Sequence, residues 1–273
     1  MDLSLVIITR NEEVEIEHCI DSVPFASETI VVDSGSMDRT AQIAEDMGAR
    51  VLDHPFVSYS AQKQWALEQA RCEWVLALDA DESLDPVLAD AMKQVLSANP
   101  EHSAFRLPFR ILYMGRLMRF GPWSNESHLR LFRREVAQYT ESGVHEGLVL
   151  KSGSVGSIRK GMVVHHPFMD LDEQISKMRS YARMWAEREF SDGRRSGPCR
   201  CVLRPAWRFF SSYFLRGGFL EGFPGLAATA VSSWYVFLKW AMLLEMTRQG
   251  PAVTSEPGST PEASHTGEGS PGT

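Results

Sequence analysis

The sequence predicts an α/β fold in which a doubly wound, mostly parallel sheet carries helices on both faces. Three observations lead to this prediction. Short apolar runs of strand length alternate with segments of helical periodicity over the first hundred residues. The run at 3–8 is apolar almost throughout, which is typical of a strand buried on both faces. Parallel neighbours need crossovers, and the intervening helical segments supply them.

The composition limits the kinds of protein that this chain can be. Its 273 residues are 44% hydrophobic, enough for one large domain or for one domain with an appendage. The net charge of -7 argues against a protein that binds nucleic acid by general attraction to phosphates. Four cysteines without zinc-finger spacing predict reduced thiols. No signal peptide is expected at the N-terminus, so the catalytic part should face the cytoplasm.

The first elements repeat a strand followed by a helix. The strand at 3–8 ends in the polar residues 9–12, and residues 16–23 then carry one apolar stripe along a helix. A second strand at 29–32 is followed by the small and acidic residues 33–38, a turn that can approach a ligand closely. This repetition predicts two consecutive βα units.

The following elements continue the alternation and then leave it. We predict, in order, a helix over 41–47, a strand over 50–53, a helix over 61–70, a strand over 74–78 and a helix that begins at Asp85-Pro86. Residues 105–111 alternate between apolar and polar, which indicates a half-buried strand in an antiparallel region.

Three carboxylates follow the strand at 74–78. Asp79, Asp81 and Glu82 would lie at the carboxyl edge of the sheet, where open α/β sheets bind ligands. Two aspartates with this spacing can share Mg²⁺ or Mn²⁺, which prefer oxygen ligands and keep positions open for phosphates. The same residues also suit the N-terminus of a helix, through capping and the helix dipole. Both interpretations remain open at this point.

Several polar segments follow in the middle of the chain. Residues 113–123 are rich in Gly, Arg and aromatics, which suits recognition of a sugar or an anion but equally a solvated basic surface. Ionisable side chains stand beside apolar residues at 144–146 and again at 163–166. A lone His in such a place is usually structural, whereas Glu can serve as a general base and His can complete the shell of a cation.

The C-terminal part predicts a helical, membrane-associating extension. A capping sequence at 170–173 opens a long amphipathic helix, and arginines interleaved with apolar residues follow over 188–208. The segment 225–244 has 15 apolar residues of 20 and one charge, Lys239. It could span a bilayer or pack on the catalytic domain, but we favour a helix lying in the membrane interface. The residues from Gln249 onward should be disordered.

Five short motifs occur in a recognisable order. They are Thr9-Arg10-Asn11-Glu12, Val31-Val32-Asp33-Ser34-Gly35-Ser36-Met37-Asp38, Leu76-Ala77-Leu78-Asp79-Ala80-Asp81-Glu82, Arg130-Leu131-Phe132-Arg133-Arg134 and Val144-His145-Glu146. Together they resemble family 2 glycosyltransferases with a GT-A fold, in the branch similar to bacterial lipopolysaccharide-core β-1,4-glucosyltransferases. The resemblance covers about residues 2 to 245. It implies a GT-A domain over 1–168 and a helical extension over 169–248, and the composition of residues 249–273 predicts a separate disordered tail.

The resemblance implies how the donor is held. Thr9, Glu12 and Asp33 match the positions that hold the nucleoside, with Asp33 near the base and Glu12 near the ribose. Asp79 and Asp81 match the metal motif beside the nucleotide-sugar. The implied cofactor is Mg²⁺ or Mn²⁺ bridging the diphosphate, with Asp81 as the closer ligand.

The resemblance also implies roles for five further residues of the site. Glu146 stands where the family's acceptor-activating base is expected. His165 stands where a further metal or phosphate contact lies, although His166 is adjacent and either ring could face the site. Lys63, Arg130 and Arg133 are implied as diphosphate contacts.

The function implied is that of an inverting, metal-dependent glycosyltransferase. It would move a sugar from a nucleotide-sugar donor to a lipid-linked saccharide such as lipopolysaccharide core, as a peripheral protein on the inner face of the cell membrane. The same chemistry on a polyprenyl-phosphate or exopolysaccharide acceptor is the alternative. A nucleotidyltransferase is disfavoured because the N-terminus lacks a glycine-rich basic loop. A non-catalytic membrane scaffold would need neither Asp81 nor Glu146.

Overall fold

A computed structural model of the chain describes residues 2–124, 126–140 and 147–249. The strands in these residues are β1 (Leu3–Thr9), β2 (Glu28–Asp33), β3 (Arg50–Asp53), β4 (Trp74–Asp79), β5 (Glu82–Leu84), β6 (Ala104–Tyr113), β7 (Arg116–Leu117), β8 (Ser127–Arg133), β9 (Ala137–Thr140), β10 (Gly147–Leu150), β11 (Val155–Ser157) and β12 (Val163–His165). The α-helices are α1 (Ile16–Asp21), α2 (Thr40–Asp46), α3 (Tyr59–Gln69), α4 (Pro86–Ser97), α5 (Leu171–Ser191), α6 (Pro198–Phe210) and α7 (Phe223–Gln249).

The main sheet changes character halfway across. Its first half has the order β3-β2-β1-β4 and is parallel throughout. The second half continues as β8-β6-β12-β5, where β8 runs antiparallel to both β4 and β6. The predicted α/β class is confirmed, with its parallel N-terminal half and an antiparallel region at β6. The insertion of β8 makes the sheet as a whole mixed.

Helices cover both faces of the parallel half. Side chains alternate in direction along a strand, so neighbouring residues of β1 enter different apolar clusters. Ile7 belongs to the cluster that contains Ile16 of α1 and Leu88 of α4. Val6 belongs to the cluster that contains Leu67 of α3. Because both faces are covered, β1 and β4 are apolar along almost their whole length.

Two helix starts follow the capping signals in the sequence. The Asp85 carboxylate accepts a hydrogen bond from the Leu88 N–H at 2.7 Å at the start of α4. The Asp170 carboxylate accepts from the Glu173 N–H at 2.8 Å at the start of α5, and the Glu173 carboxylate accepts from the Met169 N–H at 2.7 Å. Such caps satisfy backbone donors that a helix leaves unpaired at its first turn.

The helices α5, α6 and α7 pack against one another. The rings of Trp185 in α5 and Trp240 in α7 meet edge to face, with centroids 5.2 Å apart. The Arg204 guanidinium of α6 lies 4.5 Å from the centre of the Trp240 ring. The amphipathic helix predicted from residue 170 is therefore α5, and the apolar segment 225–244 lies within α7.

A buried carboxylate joins this helical part to the segment after β6. Glu221 accepts hydrogen bonds from the Arg116 Nε at 2.6 Å and from the N–H groups of Arg119 and Phe120 at 2.7 and 3.0 Å. Burial opposes its ionisation, but these donors outweigh burial and lower the pKa of Glu221.

Two predictions fall on residues outside the described ranges. Glu146, the expected base, is one of them. The tail predicted to be disordered begins at Gln249, which is the last residue of α7, and residues 250–273 are not described.

Candidate active site

The carboxyl ends of β1, β2 and β4 meet at one edge of the sheet. The parallel registers pair Thr9 with Asp33 and Ile8 with Asp79. A cavity of about 470 Å³ opens at this edge, a size typical of sites for small molecules. It is lined by Ile8, Thr9, Arg10, Glu12, Ser34, Phe56, Tyr59, Gln62, Asp79, Ala80, Asp81, His165, Lys177 and Tyr181.

Hydrogen bonds hold the turns after β1 and β2 together. Asn11 has a positive φ of 56° and accepts from the Met37 N–H through its side chain at 2.8 Å. The Asn11 N–H donates to the Ser36 hydroxyl at 2.9 Å, and the Glu12 N–H donates to the Thr40 hydroxyl at 2.8 Å. These bonds fix the backbone of Glu12 beside the cavity.

Asp33 shapes the turn after β2. Its Oδ2 accepts from the N–H groups of Gly35 at 3.1 Å and Ser36 at 2.8 Å, and Gly35 has a φ of +80° that suits glycine. The residue that lines the cavity here is Ser34, whose hydroxyl accepts from Gln62 Nε2 at 3.0 Å. Asp33 is not among the residues that line the cavity; the family resemblance implies a place for it near the base.

Thr9 is placed at the cavity as predicted. Its hydroxyl oxygen is buried and has no hydrogen-bond partner among the residues that the structure describes. A buried hydroxyl without a partner is costly. The atom is therefore available to a ligand in the cavity.

Glu12 and Asp81 bring negative charge into the same cavity. Burial, and next the charge of Asp81, raise the pKa of Glu12 to about 7. A cation bound between these two acidic side chains would favour the ionised form of Glu12.

His165, and not His166, faces the cavity. Antiparallel pairing of β12 with β5 places His165 opposite Glu82, and its Nε2 lies 3.2 Å from Asp81 Oδ2. Burial opposes protonation, but the hydrogen bond to Asp81 and the negative charges of Asp81, Glu82 and Asp79 together outweigh burial and raise the pKa of His165. The ring of His166 points elsewhere, with its Nδ1 3.1 Å from a Glu15 oxygen.

Asp79 is already paired with two cations. Lys63 Nζ lies 2.6 Å from Asp79 Oδ1, and Arg130 Nη2 lies 2.9 Å from Asp79 Oδ2. Burial alone would raise the pKa of Asp79, but the charges of Arg130 and Lys63 hold it well below its usual range. Arg130 also contacts Glu82, whose pKa is raised chiefly by burial.

A β-bulge aims Arg130 at the end of β4. The register of β6 against β8 shifts between Phe105, which pairs with Leu131, and Arg106, which pairs with Leu129. Arg130 is the extra residue between those two pairs. Bulges redirect a side chain next to a site, and here the guanidinium reaches Asp79.

The cavity provides part of a shell for a divalent cation. Within the described ranges, no group of three or more His, Cys, Asp or Glu side chains is arranged to hold a metal ion. Asp81 and His165 offer one oxygen and one nitrogen ligand, whereas the oxygens of Asp79 are taken by Lys63 and Arg130. The residues therefore fit a cation that takes its other ligands from a bound substrate and from water, as Mg²⁺ commonly does.

Arg133 is far from this cavity. It pairs with Trp74, the first residue of β4, in the sheet register, whereas Asp79 is the last residue of that strand. Its guanidinium contacts Glu73 and lies 4.7 Å from the centre of the Trp74 ring. Arg133 was expected to contact the diphosphate, but because β8 runs antiparallel to β4, Arg133, three residues after Arg130, lies beside the start of β4.

Four lining residues that lie on helices were not among the predicted site residues. Gln62 and Tyr59 come from α3, and Lys177 and Tyr181 come from α5. The signal for the second pair was their spacing of four residues, which places both on one face of α5. Only the packing of α5 over the sheet edge shows that this face closes the cavity.

Comparison with known proteins gave a consistent family match. The profile of glycosyl transferase family 2 matches residues 4–141. The chain is 33% identical over 251 residues to the lipopolysaccharide core biosynthesis glycosyltransferase LpsC of Rhizobium meliloti, covering 90% of this chain and 93% of that protein. It is 28% identical over 268 residues to an uncharacterized glycosyltransferase of Rickettsia bellii, covering 93% and 90%.

Two solved structures are similar in part. TarS of S. aureus, residues 1–349, matches with a TM-score of 0.43 and 18% identity and covers 93% of each chain. Glucosyl-3-phosphoglycerate synthase of Mycobacterium tuberculosis, crystallised with Mg²⁺ and uridine-diphosphate, matches with a TM-score of 0.37 and 23% identity over 49% of this chain and 57% of that one.

Proposed function

The chain belongs to glycosyl transferase family 2, and we propose that it moves a sugar from a nucleotide-sugar donor to a lipid-linked saccharide such as lipopolysaccharide core. The observation that carries this proposal is the cavity at the ends of β1, β2 and β4. It combines the acidic groups Glu12 and Asp81 with the cation Lys177 beside a paired Asp79. The similarity to LpsC supports the choice of acceptor.

The donor would be bound with its diphosphate near Asp81 and His165. These two residues would hold Mg²⁺ or Mn²⁺, which when bound stabilises the negative charge of the diphosphate leaving group. Lys177 of α5 lines the same cavity, and its Nζ lies 2.8 Å from Glu173 Oε1. Lys63 and Arg130 keep Asp79 ionised and in place. The Thr9 hydroxyl and Glu12 lie where the nucleoside would be held.

We assign activation of the acceptor to Glu146. Its carboxylate would take the proton of the acceptor hydroxyl as that oxygen bonds to the anomeric carbon. The bond from the anomeric carbon to the diphosphate oxygen breaks in the same step, and the nucleoside diphosphate leaves. Attack from the face opposite the leaving group inverts the anomeric centre. General-base catalysis of this kind contributes roughly 100- to 10,000-fold.

The extension supports a site at the cytoplasmic face of the membrane. Among the described helices, α7 has the length and composition to cross a bilayer, with a mean hydropathy of 1.2 and 28% of that stretch buried. On α6, Val202, Leu203 and Trp207 are exposed beside arginines. An exposed row of apolar side chains flanked by arginines suits a helix that lies in the headgroup plane.

The experiment that tests this function uses the full chain purified in detergent. Nucleotide sugars are screened for Mn²⁺-dependent release of the nucleoside diphosphate, and the best donor is then offered truncated lipopolysaccharide core or a polyprenyl phosphate. Transfer to the core acceptor is expected. Transfer only to the polyprenyl phosphate would establish the alternative acceptor, and synthesis of a nucleotide sugar from a triphosphate would reject the transferase.

A variant at the proposed base sharpens this test. Glu146→Gln should bind the donor as the parent does but lose transfer by roughly 100- to 10,000-fold. Equal loss of donor binding and transfer would show that Glu146 is structural.

A further inference from the structure

A second cavity adjoins the one that we assign to the donor. Its volume is about 500 Å³, and it lies between the start of α3, strand β8 and the pair β9-β10. Tyr59 lines both cavities, and Lys63 and Arg130, which line the second, both contact Asp79 of the first. The two cavities are therefore neighbours across one ionic cluster.

The second cavity is lined by positive charge. Its lining includes the cations Lys63, Arg106 and Arg130, together with the imidazole of His128, and no Asp or Glu among the described residues. Lys63 and Arg130 are largely neutralised by Asp79 and the neighbouring Glu82. An anion entering the cavity would therefore be attracted mainly by cations that are not in these ion pairs.

Arg106 is such a cation. Its Nη1 donates to the Ser127 carbonyl at 3.3 Å, and within the described part of the chain it forms no ion pair. His128 is close by on β8 and is only loosely paired, with 3.7 Å between its Nε2 and an oxygen of Glu126. In addition, Arg130 Nε is buried and lacks a hydrogen-bond partner among described residues. A guanidinium recognises carboxylate and phosphate groups through paired N–H donors.

Aromatic rings complete the lining. Tyr59 is exposed at the boundary between the cavities, and Tyr139 is half-buried on the other side of the second one. Rings of this kind offer an apolar face and a hydroxyl to a sugar. The lining therefore combines groups for a saccharide with groups for an anion.

We propose that the second cavity is the acceptor subsite and that it takes a saccharide carrying an anionic group, a phosphate ester or a carboxylate, recognised by Arg106 and His128. This inference rests on the proposed transferase function, which requires a second substrate beside the donor. The ionic cluster of Asp79, Lys63 and Arg130 separates the two substrates' sites. Arg106 is a specificity-determining residue for the acceptor and has no part in donor binding.

The test measures binding of small probes to the full chain in detergent by calorimetry, in the presence of Mn²⁺ and a nucleoside diphosphate. The probes are glucose 6-phosphate, glucuronate and glucose. We expect one or both charged sugars to bind at least tenfold more tightly than glucose; which of them binds tells phosphate from carboxylate recognition. Arg106→Gln should weaken that binding about 10- to 100-fold, the cost of one hydrogen bond to a charged group.

Matched controls separate this inference from the proposed function. Arg159→Gln removes an exposed arginine outside the cavity and should leave binding of the charged sugars unchanged. Binding of UDP, GDP and ADP is titrated on the same samples. Equal affinity for all three sugars, no sugar binding beside intact nucleotide binding, or full binding by Arg106→Gln would each overturn the inference. Absence of nucleotide binding would instead count against the transferase itself.

Discussion

Replacing Arg130 by methionine should destabilise the protein strongly. The Arg130 side chain is 13% exposed and its guanidinium contacts both Asp79 and Glu82, and the Glu82 side chain is 2% exposed. Lys63 still neutralises Asp79 at 2.6 Å in the variant, so the loss falls on Glu82, which is left as a buried charge without its partner. Breaking such a pair costs about 3–5 kcal/mol. For a chain of this size, that cost corresponds to a fall in Tm of roughly 6–20 °C.

The assay is thermal unfolding of Arg130→Met in detergent at pH 7, with two companion variants. Adding Glu82→Gln removes the stranded charge and should restore at least about 2 kcal/mol. Arg133→Met removes an arginine whose partner Glu73 is 53% exposed, and it should change stability by no more than about 1 kcal/mol.

Two results would refute the structural role of Arg130. One is an unchanged Tm for Arg130→Met. The other is a double variant no more stable than the single one. If stability were unchanged while donor affinity fell, the guanidinium would belong to diphosphate binding, as the sequence motif alone suggested.

Three further predictions concern the cation, the buried carboxylate and the membrane. Asp81→Ala should keep its fold by circular dichroism but lose Mn²⁺-dependent transfer by at least about 100-fold, several kcal/mol; undiminished turnover with chelator present would contradict this. Glu221→Gln should cost about 1.5–3 kcal/mol in urea unfolding at pH 7. Because the folded-state pKa of Glu221 is lowered, its contribution is present above the unfolded-state pKa and should be lost as the pH falls through the folded-state pKa. Glu101→Gln is the control, and a loss of stability that does not depend on pH would contradict this prediction. Trp207→Ser should weaken binding to anionic vesicles by roughly tenfold in a flotation assay, whereas exposed Val87→Ser should not, and equal effects would rule out a specific membrane face.

Most of the sheet could be predicted from local sequence. Strands β1 and β4 are apolar runs because both of their faces are covered, so the continuous apolar run is enough to predict a buried strand. The starts of α4 and α5 were also predictable, because Asp85 and Asp170 bond to backbone donors only three residues away. In both cases the interacting groups are neighbours in the chain.

The candidate site was predictable only in part. The convergence of Thr9, Glu12 and Asp81 follows from parallel strands ending at one edge. The pairing of Asp79 with Lys63 and Arg130 does not, because it depends on a bulge in β8 and on the position of α3. Its consequence is that Asp81 and His165, without Asp79, are the candidate ligands for a cation.

The sequence by itself determined the α/β class, the edge of the sheet at which function lies and the family of the protein. Tertiary structure alone decided which of two adjacent histidines faces the cavity. It also decided that Arg133 lies beside the start of β4 and that Lys177 of α5 lines the cavity. The physical reason is the separation along the chain between the residues that interact. Periodicity and capping act over a few residues, whereas strand register and helix docking join segments that are a hundred residues apart and leave no local pattern.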